Sequence, residues 1–316
     1  MTTSAPAPVI PHHLDGIVEA LLGRALAPLE APTEADFHAA WVARGLSAEE
    51  PVVMAVVGGA LADRLAWVFL SGYQAVLRRA LPRLPVEPGW SALVNTEGVG
   101  DLPGTTLEGA PGARNISGWK TWVAAADHVE RLVVSASHNA LPLVILRRDQ
   151  PGVTIEHSRS GGPDSYLGEL VQGRVHLEGV AVAEDCVVTD ERAFPIFRAG
   201  EGAYVRVALN AFMLAHGVRL RAPGELISSA VAGLLGAAGA ASMPMPSRAG
   251  MIAVGAVDAR TRDLAAEFEA FIETADPPLR ARWERDARMV RSDSLSRRAE
   301  DALAALGLVL RQPSSA

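Results

Sequence analysis

The sequence is poor in several residue types, and each scarcity excludes a class of protein or site. Its 316 residues include one cysteine, Cys186, which excludes an internal disulfide and fits a reducing compartment. Lys120 is the only lysine among 29 basic residues, and aromatic residues make up 5% of the chain, so we expect a core of Ala, Val and Leu. The net charge of -7 lacks the basic surface of a general nucleic-acid-binding protein.

Targeting segments and long apolar runs are also missing. Residues 1–10 show no positive region followed by an apolar run, so they predict a disordered tail and no secretory signal. The apolar segment 52–70 is interrupted by Asp63 and Arg64, and the segment 227–245 by serines and a proline. Neither reaches the roughly 20 apolar residues of a spanning helix. We therefore expect a cytoplasmic protein with neither membrane nor nucleic acid as a partner.

No motif of a common enzyme class stands out. The eight histidines are scattered without zinc-ligand spacing, so no metal site is predicted. Gly98 and Gly100 are not followed by the helix pattern of a dinucleotide fingerprint. No Gly-x-Ser-x-Gly elbow supports a serine hydrolase.

Hydrophobic periodicity changes twice along the chain. Helical spacing covers 11–88, short β-prone runs with turns between them cover 89–197, and helical spacing resumes over 198–316. The sequence therefore predicts an α+β fold with three domains: an N-terminal helical domain, a central antiparallel β-barrel or sandwich, and a C-terminal helical bundle.

Local signals refine the helices. Thr33 predicts a helix start, and Ser47 to Glu50 form a capping-box pattern before a long apolar helix over 52–81. Gly58 and Gly59 within that helix indicate a break or a close approach. The last predicted helix runs from Pro278 to about Leu310.

The segment 118–134 joins two β-prone runs through a polar elbow. Trp119 to Val123 is aromatic and β-prone, Ala124 to His128 is small and polar, and Leu132 to Val134 is apolar. This order predicts a strand, an elbow and a second strand.

Five segments, in the same order, resemble the acyl-CoA dehydrogenase family. The first is the approach to the β-domain at 84–90. Thr96-Glu-Gly-Val-Gly-Asp101 resembles the family's Thr-Glu-Pro-x-x-Gly-Ser-Asp loop, and Asn115-Ile-Ser-Gly-Trp-Lys-Thr-Trp122 resembles its Leu-Asn-Gly-x-Lys-x-Trp strand. The segment 179–188 resembles its Val-x-Val-Pro-x-x-x-Val segment, and Arg285-Asp-Ala-Arg288 resembles its Arg-Asp-x-Arg element. The resemblance implies that family's fold, a homodimer or homotetramer, and a cleft for a small hydrophobic substrate.

The groups that hold flavin in that family are missing here. The family's flavin-contacting serine and threonine correspond to Val99 or Gly100 and to Ala124, and its Arg-x-x-Phe-Gly and Gln-x-x-Gly-Gly motifs are absent between 220 and 275. Each unmet polar partner of a buried flavin costs about 1–3 kcal/mol. We expect no cofactor; the alternative is FAD held by backbone amides.

The family's catalytic glutamate is missing too. Its two usual positions correspond to Ser294, which lies beside Asp293, and to Met213 in an apolar run. The resemblance then implies these site residues: catalytic Asp101, Asp293 and Trp122, and substrate-binding Tyr204, Phe212, Met213, Thr96 and His128.

Two further groups have open interpretations. Asp127 and His128 either exchange a proton in the cleft or satisfy the backbone of the elbow. Four arginines spaced by three either bind a phosphate or an acidic carrier protein, or form a salt-bridged face: Arg282, Arg285, Arg288 and Arg291.

Three functions follow from the resemblance and its departures. The first is a flavin-free enzyme that cyclises or rearranges a polyketide-like intermediate in secondary metabolism, because a shaped cleft can fold a flexible substrate into a reactive conformer. The second is a flavin-dependent acyl-CoA or acyl-carrier dehydrogenase. The third is a non-catalytic relative that binds a partner.

Overall fold

The computed structural model describes residues 13–85, 89–97, 101–137, 140–157 and 165–306. The predicted disordered tail at 1–10 lies outside these ranges, as do Val99 and Gly100. The helices are α1 Leu14–Leu22, α2 Glu34–Ala43, α3 Pro51–Leu61, α4 Leu65–Ala80, α5 Ala193–Leu220, α6 Gly224–Ser242, α7 Arg248–Ala275, α8 Pro277–Asp286, α9 Arg288–Arg291 and α10 Ser294–Ala304. The strands are β1 Trp90–Val94, β2 Thr106–Glu108, β3 Arg114–Ala124, β4 Val129–Ser137, β5 Ala140–Arg147, β6 Val153–His157, β7 Gln172–Val182 and β8 Val187–Val188. The predicted order of helices, strands and helices is confirmed.

Internal contacts divide the chain into two compact units. The helical unit lies within Met1–Glu30, Glu49–Val76 and Pro195–Ala316, and the sheet unit within Ala31–Ala48 and Leu77–Phe194. Each unit therefore combines segments that are distant in sequence. The domain boundaries predicted at 88 and 197 stay predictions.

The described strands of the sheet unit form two open four-stranded sheets, with no closed barrel among them. Their orders are β1-β4-β5-β8 and β2-β3-β7-β6. Val, Leu, Ile and Ala side chains from both sheets form the core of the unit. One pair departs from the predicted antiparallel pattern, because β1 and β4 run parallel. The long connection between them, which contains β2 and β3, allows this parallel pairing.

The strand, elbow and strand predicted over 118–134 are confirmed as β3, a turn and β4. Ala125 adopts a positive φ of 54° at the start of the elbow. Its carbonyl oxygen accepts hydrogen bonds from the backbone N–H groups of His128 and Val129, at 3.0 and 2.7 Å. These bonds close the turn, so that β4 enters the other sheet.

The N-terminal helices confirm one predicted start and correct another. Thr33 caps α2 through a capping box with Asp36. The capping box predicted at Ser47 is wrong, because α3 begins at Pro51 after Glu50, which makes no side-chain cap. Ser47 Oγ instead accepts a hydrogen bond from Trp41 Nε1 at 2.9 Å and donates one to the backbone carbonyl oxygen of Gly89.

The single helix predicted over 52–81 is broken after Leu61. The carbonyl oxygen of Leu61 accepts the backbone N–H of Leu29 at 2.9 Å, and Ala62 is extended with ψ of 135°. Gly59 lies before this break, where a Cβ atom would come within 2.2 Å of the Ala208 carbonyl oxygen. It therefore marks a close approach, which is one of the two predicted alternatives.

The single helix predicted from Pro278 is also wrong across its described part. It is divided into α8, α9 and α10, with Ser292 extended at ψ of 130°. The Ser292 carbonyl oxygen accepts a hydrogen bond from Arg206 at 3.1 Å, which replaces its helical partner. The four arginines spaced by three therefore do not share one helix face; Arg285 pairs with Asp286, and Arg291 with Glu269.

Among the described residues, one helix is long and apolar enough by composition to cross a membrane. This helix is α6, Gly224–Ser242, and 39% of its most apolar window is buried within the structure. Core helices pass the same test of length and hydropathy, so the feature is weak evidence for a membrane span.

Candidate functional site

The only lysine of the chain lies in the centre of the sheet unit. The Lys120 side chain is 0% exposed, and its ammonium group pairs with the Glu97 carboxylate, which is 14% exposed. Lys120 Nζ also donates to Ser135 Oγ on β4 at 2.9 Å. Glu97 Oε1 further accepts the backbone N–H and the hydroxyl of Thr105, at 3.0 and 2.8 Å. This network fixes the segment after β1 against β3 and β4.

Burial and pairing oppose each other in this network. Burial lowers the pKa of Lys120, because it disfavours the ammonium more strongly than Glu97 favours it. Burial alone would raise the pKa of Glu97, but the hydrogen bonds from Lys120 and Thr105 outweigh it and lower the pKa. The lowered pKa of Glu97 describes a carboxylate that is held ionised by its donors.

Trp122 follows Lys120 on β3 and is half-buried. Its indole Nε1 donates to Gln172 Oε1 on β7 at 3.2 Å. The register in which β3 pairs with β7 shifts between Lys120 and Val123, the stretch that contains Trp122. The large ring is thus held by an adjacent strand, as a residue that positions a ligand requires.

The two predicted acids lie in different units and are both exposed. Asp101 belongs to a turn of the sheet unit. Asp293 precedes α10 in the helical unit and pairs with Arg297 at 2.9 Å. Thr96 is also exposed, and its carbonyl oxygen accepts both the N–H and the hydroxyl of Thr121.

The three residues predicted on α5 are buried in the helical unit: Tyr204, Phe212 and Met213. The Phe212 ring packs against His216 at a centroid distance of 4.3 Å and against Trp283 at 6.1 Å. His216 Nε2 lies 3.0 Å from the Ala62 carbonyl oxygen, and burial lowers the pKa of His216 to about 3. This histidine is therefore neutral at physiological pH and donates through Nε2. The substrate-binding role of the three residues stays a prediction.

Comparison with solved structures identifies the fold. The apo form of PigA matches with a TM-score of 0.66 at 13% identity, over 93% of this chain and 97% of PigA. Butyryl-CoA dehydrogenase from Megasphaera elsdenii matches with a TM-score of 0.60 at 12% identity, over 91% of this chain and 94% of the enzyme. The chain has the acyl-CoA dehydrogenase fold.

A third match comes from polyketide biosynthesis. FkbI, for biosynthesis of the methoxymalonyl extender unit of the Fk520 polyketide immunosuppressant, has a TM-score of 0.60 at 19% identity, over 94% of this chain and 100% of FkbI. No protein-family model and no curated protein matches the sequence. At these identities the likeness is one of fold.

On β3 of this fold, three side chains bear on whether a flavin fits: Ser117, Thr121 and Ala124. Ala124 is 1% exposed and offers no polar side-chain atom. The Thr121 hydroxyl donates to the Thr96 carbonyl oxygen at 3.1 Å, and Ser117 Oγ accepts the Gly179 N–H at 3.0 Å. The hydroxyls of Thr121 and Ser117 are therefore engaged within the protein, and Ala124 has no side-chain group that could hydrogen-bond to the polar edge of an isoalloxazine. Val99 and Gly100, the other predicted departures, lie outside the described residues.

His128 in the elbow after β3 is partly exposed and pairs with Glu34, a buried acid on α2. Glu34 Oε1 lies 3.1 Å from His128 Nδ1 and accepts the His128 backbone N–H, while Glu34 Oε2 accepts the Val171 N–H at 2.8 Å. Burial raises the pKa of Glu34 despite these donors. The His38 ring lies 4.9 Å from the His128 ring. Glu34 ties α2 to the elbow, which favours the structural interpretation of His128. Asp127 instead pairs with His157 at 2.8 Å on the surface.

Glu201 on α5 is an acid that the sequence interpretation missed. Its flanking glycines pack so closely that a Cβ atom would come within 3.0 Å of Val76 at Gly200 and 2.7 Å of Leu295 at Gly202. Burial raises the pKa of Glu201, and the charge of Arg298 compensates only in part. No hydrogen bond or ion pair joins its carboxylate to the residues that the structure describes. Two glycines around one acid inside a helix are the sequence signal that could have found it.

Proposed function

We propose that this protein is an enzyme with the acyl-CoA dehydrogenase fold that cyclises or rearranges a small hydrophobic, polyketide-like intermediate without flavin. The observation that carries the proposal is Ala124, a buried carbon-only side chain where the family's strand presents a hydroxyl to the flavin. The match to FkbI supports a substrate related to polyketides.

The proposed chemistry needs a shaped surface and an acid that keeps its proton. Trp122 supplies a large ring fixed by Gln172 and would orient an apolar substrate. Asp101 and Asp293 stay candidates for proton transfer, and Glu201 is a further acid within the helical unit. Because its pKa is raised, Glu201 retains a proton closer to neutral pH than an exposed carboxylate and can donate it to a carbonyl or enol oxygen.

The second candidate is a flavin-dependent dehydrogenase. Two matched structures favour it, because one is named an FAD-dependent dehydrogenase and another is PigA with FAD and proline. In this case backbone amides of the sheet unit would hold the flavin in place of the missing side chains. The third candidate, a non-catalytic relative, keeps the fold and binds a partner only.

The purified protein is expected to be colourless and to bind added FAD or FMN more weakly than micromolar. The reason is the loss of side-chain hydrogen bonds at Ala124, which leaves polar flavin atoms unmet. Isothermal titration calorimetry measures the binding, and a flavin-containing acyl-CoA dehydrogenase serves as the positive control. A yellow preparation with one flavin per chain, or a micromolar titration, would support the dehydrogenase instead. Turnover of a polyketide-like thioester by the colourless protein separates the first candidate from the third.

Glu201→Gln is expected to raise Tm near pH 8 and to leave it unchanged near pH 4. For a carboxyl with a raised pKa, the stabilising contribution is present below the ordinary value of 4.5 and is lost as pH rises through the raised pKa. Glutamine is neutral at every pH, so the variant avoids this loss. Differential scanning calorimetry across that pH range measures the effect.

The matched control for this variant is Glu300→Gln, since Glu300 is exposed on α10. Its Tm should follow that of the wild type at every pH. Equal pH profiles for the Glu201 variant and the wild type would contradict the raised pKa of the Glu201 carboxyl.

A further inference from the structure

The sheet unit contains a cavity that the proposed chemistry does not use. Its volume is about 770 Å³, within the roughly 300–1,000 Å³ of small-molecule sites. Its walls come from the turn before β3, the ends of β4 and β5, and the segment that follows β7. Among the lining residues are Arg114, Arg131, Arg147, Ile145, Leu146 and Cys186.

The charge of this lining is of one sign. Arg114, Arg131 and Arg147 contribute three guanidinium groups, and no described carboxylate lines the cavity. This concentration of positive charge occurs in a chain whose net charge is -7. A concave surface with one sign of charge attracts ligands of the opposite sign.

Arg114 has donors left for a ligand. Its Nη1 lies 3.6 Å from Glu184 Oε1, beyond the roughly 2.7–3.2 Å of an N–H···O hydrogen bond. Glu184 Oε2 is engaged by the Gly112 backbone N–H at 3.1 Å. The neighbouring Asn115 amide makes no hydrogen bond to the residues that the structure describes. Arg147, in contrast, is held by Asp149 through two contacts of 2.9 Å.

We propose that this cavity binds a small anion that carries a phosphate or carboxylate group on an apolar body. A guanidinium fork matches both groups through paired N–H donors. The apolar part would contact Ile145, Leu146 and Val182. This site goes beyond the proposed function and does not depend on it, because neither Trp122 nor the candidate acids line it.

Cys186 provides the reporter for a test. It is the only cysteine of the chain and it lines the cavity. Burial raises the pKa of its thiol, and the nearby Asp185 adds to this rise, so alkylation is slow enough to follow. A ligand in the cavity should shield the thiol from the reagent.

The experiment measures the rate of Cys186 alkylation by iodoacetamide, followed by mass spectrometry, with pyrophosphate or hexanoate added. At ligand concentrations near ten times Kd, mass action predicts that labelling slows about tenfold. Protection by pyrophosphate alone assigns a phosphate ligand, and protection by hexanoate alone a carboxylate. Sodium chloride at equal ionic strength should give no protection.

Arg114→Gln should abolish the protection. Arg174→Gln is the matched control, because Arg174 lies on β7, pairs with Glu156 and does not line the cavity. It should be protected like the wild type. The proposal is overturned if neither anion slows labelling, if sodium chloride slows it equally, or if Arg114→Gln remains protected while its circular dichroism matches that of the wild type.

Discussion

Asp258→Ala is expected to lower the free energy of unfolding by about 3–5 kcal/mol, the usual cost of breaking a buried ion pair by removing one partner. Asp258 on α7 is 0% exposed, and its Oδ1 accepts a hydrogen bond from Arg206 Nε at 2.6 Å. Its Oδ2 accepts the Ser296 hydroxyl at 2.9 Å. Without this carboxylate, the guanidinium of Arg206 remains buried without its ion partner, and Arg262, which lies 3.5 Å from the same carboxylate, loses that partner too. Urea denaturation followed by circular dichroism measures the loss.

The geometry around Arg206 explains why the expected effect is large. Its guanidinium also donates to the carbonyl oxygens of Met289, Val290 and Ser292, at 3.1 to 3.2 Å. The pair therefore connects α5 and α7 with α9 and with Ser292, which follows α9. Loss of the carboxylate removes the charge that orients this whole set of hydrogen bonds.

Asp263→Ala is the control on the same helix. The Asp263 side chain is 65% exposed and lies 3.7 Å from Arg260. An exposed pair of this kind contributes about 0–1 kcal/mol. If the two alanine variants differ by less than about 1 kcal/mol, the ion pair at Asp258 does not have the stabilising role that its burial implies.

Local sequence patterns predicted the elements that depend on neighbouring residues. The helix start at Thr33, the strands of 90–188 and the elbow at Ala125 follow from caps, alternation and turns within a few positions. The acyl-CoA dehydrogenase fold followed from five short segments in order. These features depend on residues within a few positions of each other, so they can be predicted from a single sequence.

Contacts between distant residues caused the errors. Ser47 has the right spacing for a cap, but Trp41 Nε1 and the Gly89 carbonyl oxygen bind its hydroxyl instead. The two long helices were predicted to continue past breaks, because the carbonyl oxygens of Leu61 and Ser292 accept hydrogen bonds from residues far away in sequence. Such competition between a local cap and a tertiary partner cannot be seen in a window of sequence.

The candidate site was predictable in part for the same reason. Lys120 and Trp122 were located by their strand motif. The raised pKa of Glu201, and the packing of Phe212 against Trp283 of another helix, depend on contacts between segments far apart in sequence. The arginine-lined cavity is likewise formed by separate segments between residues 85 and 186, so no single sequence motif predicts it.

Lys120→Ala is the second variant with a large expected effect, again about 3–5 kcal/mol of unfolding free energy. It leaves the Glu97 carboxylate, 14% exposed, with Thr105 as its donor, and it removes the partner of the Ser135 hydroxyl. The matched control is Glu156→Ala, which breaks an exposed pair with Arg174 on adjacent strands and should cost at most about 1 kcal/mol. Urea denaturation monitored by tryptophan fluorescence measures both variants.

A double variant and a change of pH separate lost charge pairing from lost packing. Glu97→Gln combined with Lys120→Met removes both charges, so it should be more stable than Lys120→Ala, because no unpaired ion remains buried. The lowered pKa of Glu97 means that its stabilising contribution is present above the ordinary value of 4.5 and is lost as pH falls through the lowered pKa. The deficit of Lys120→Ala relative to the wild type should therefore shrink in acid. A deficit that is constant with pH, together with no recovery in the double variant, would assign the cost to lost packing of the lysine methylenes instead of the ion pair.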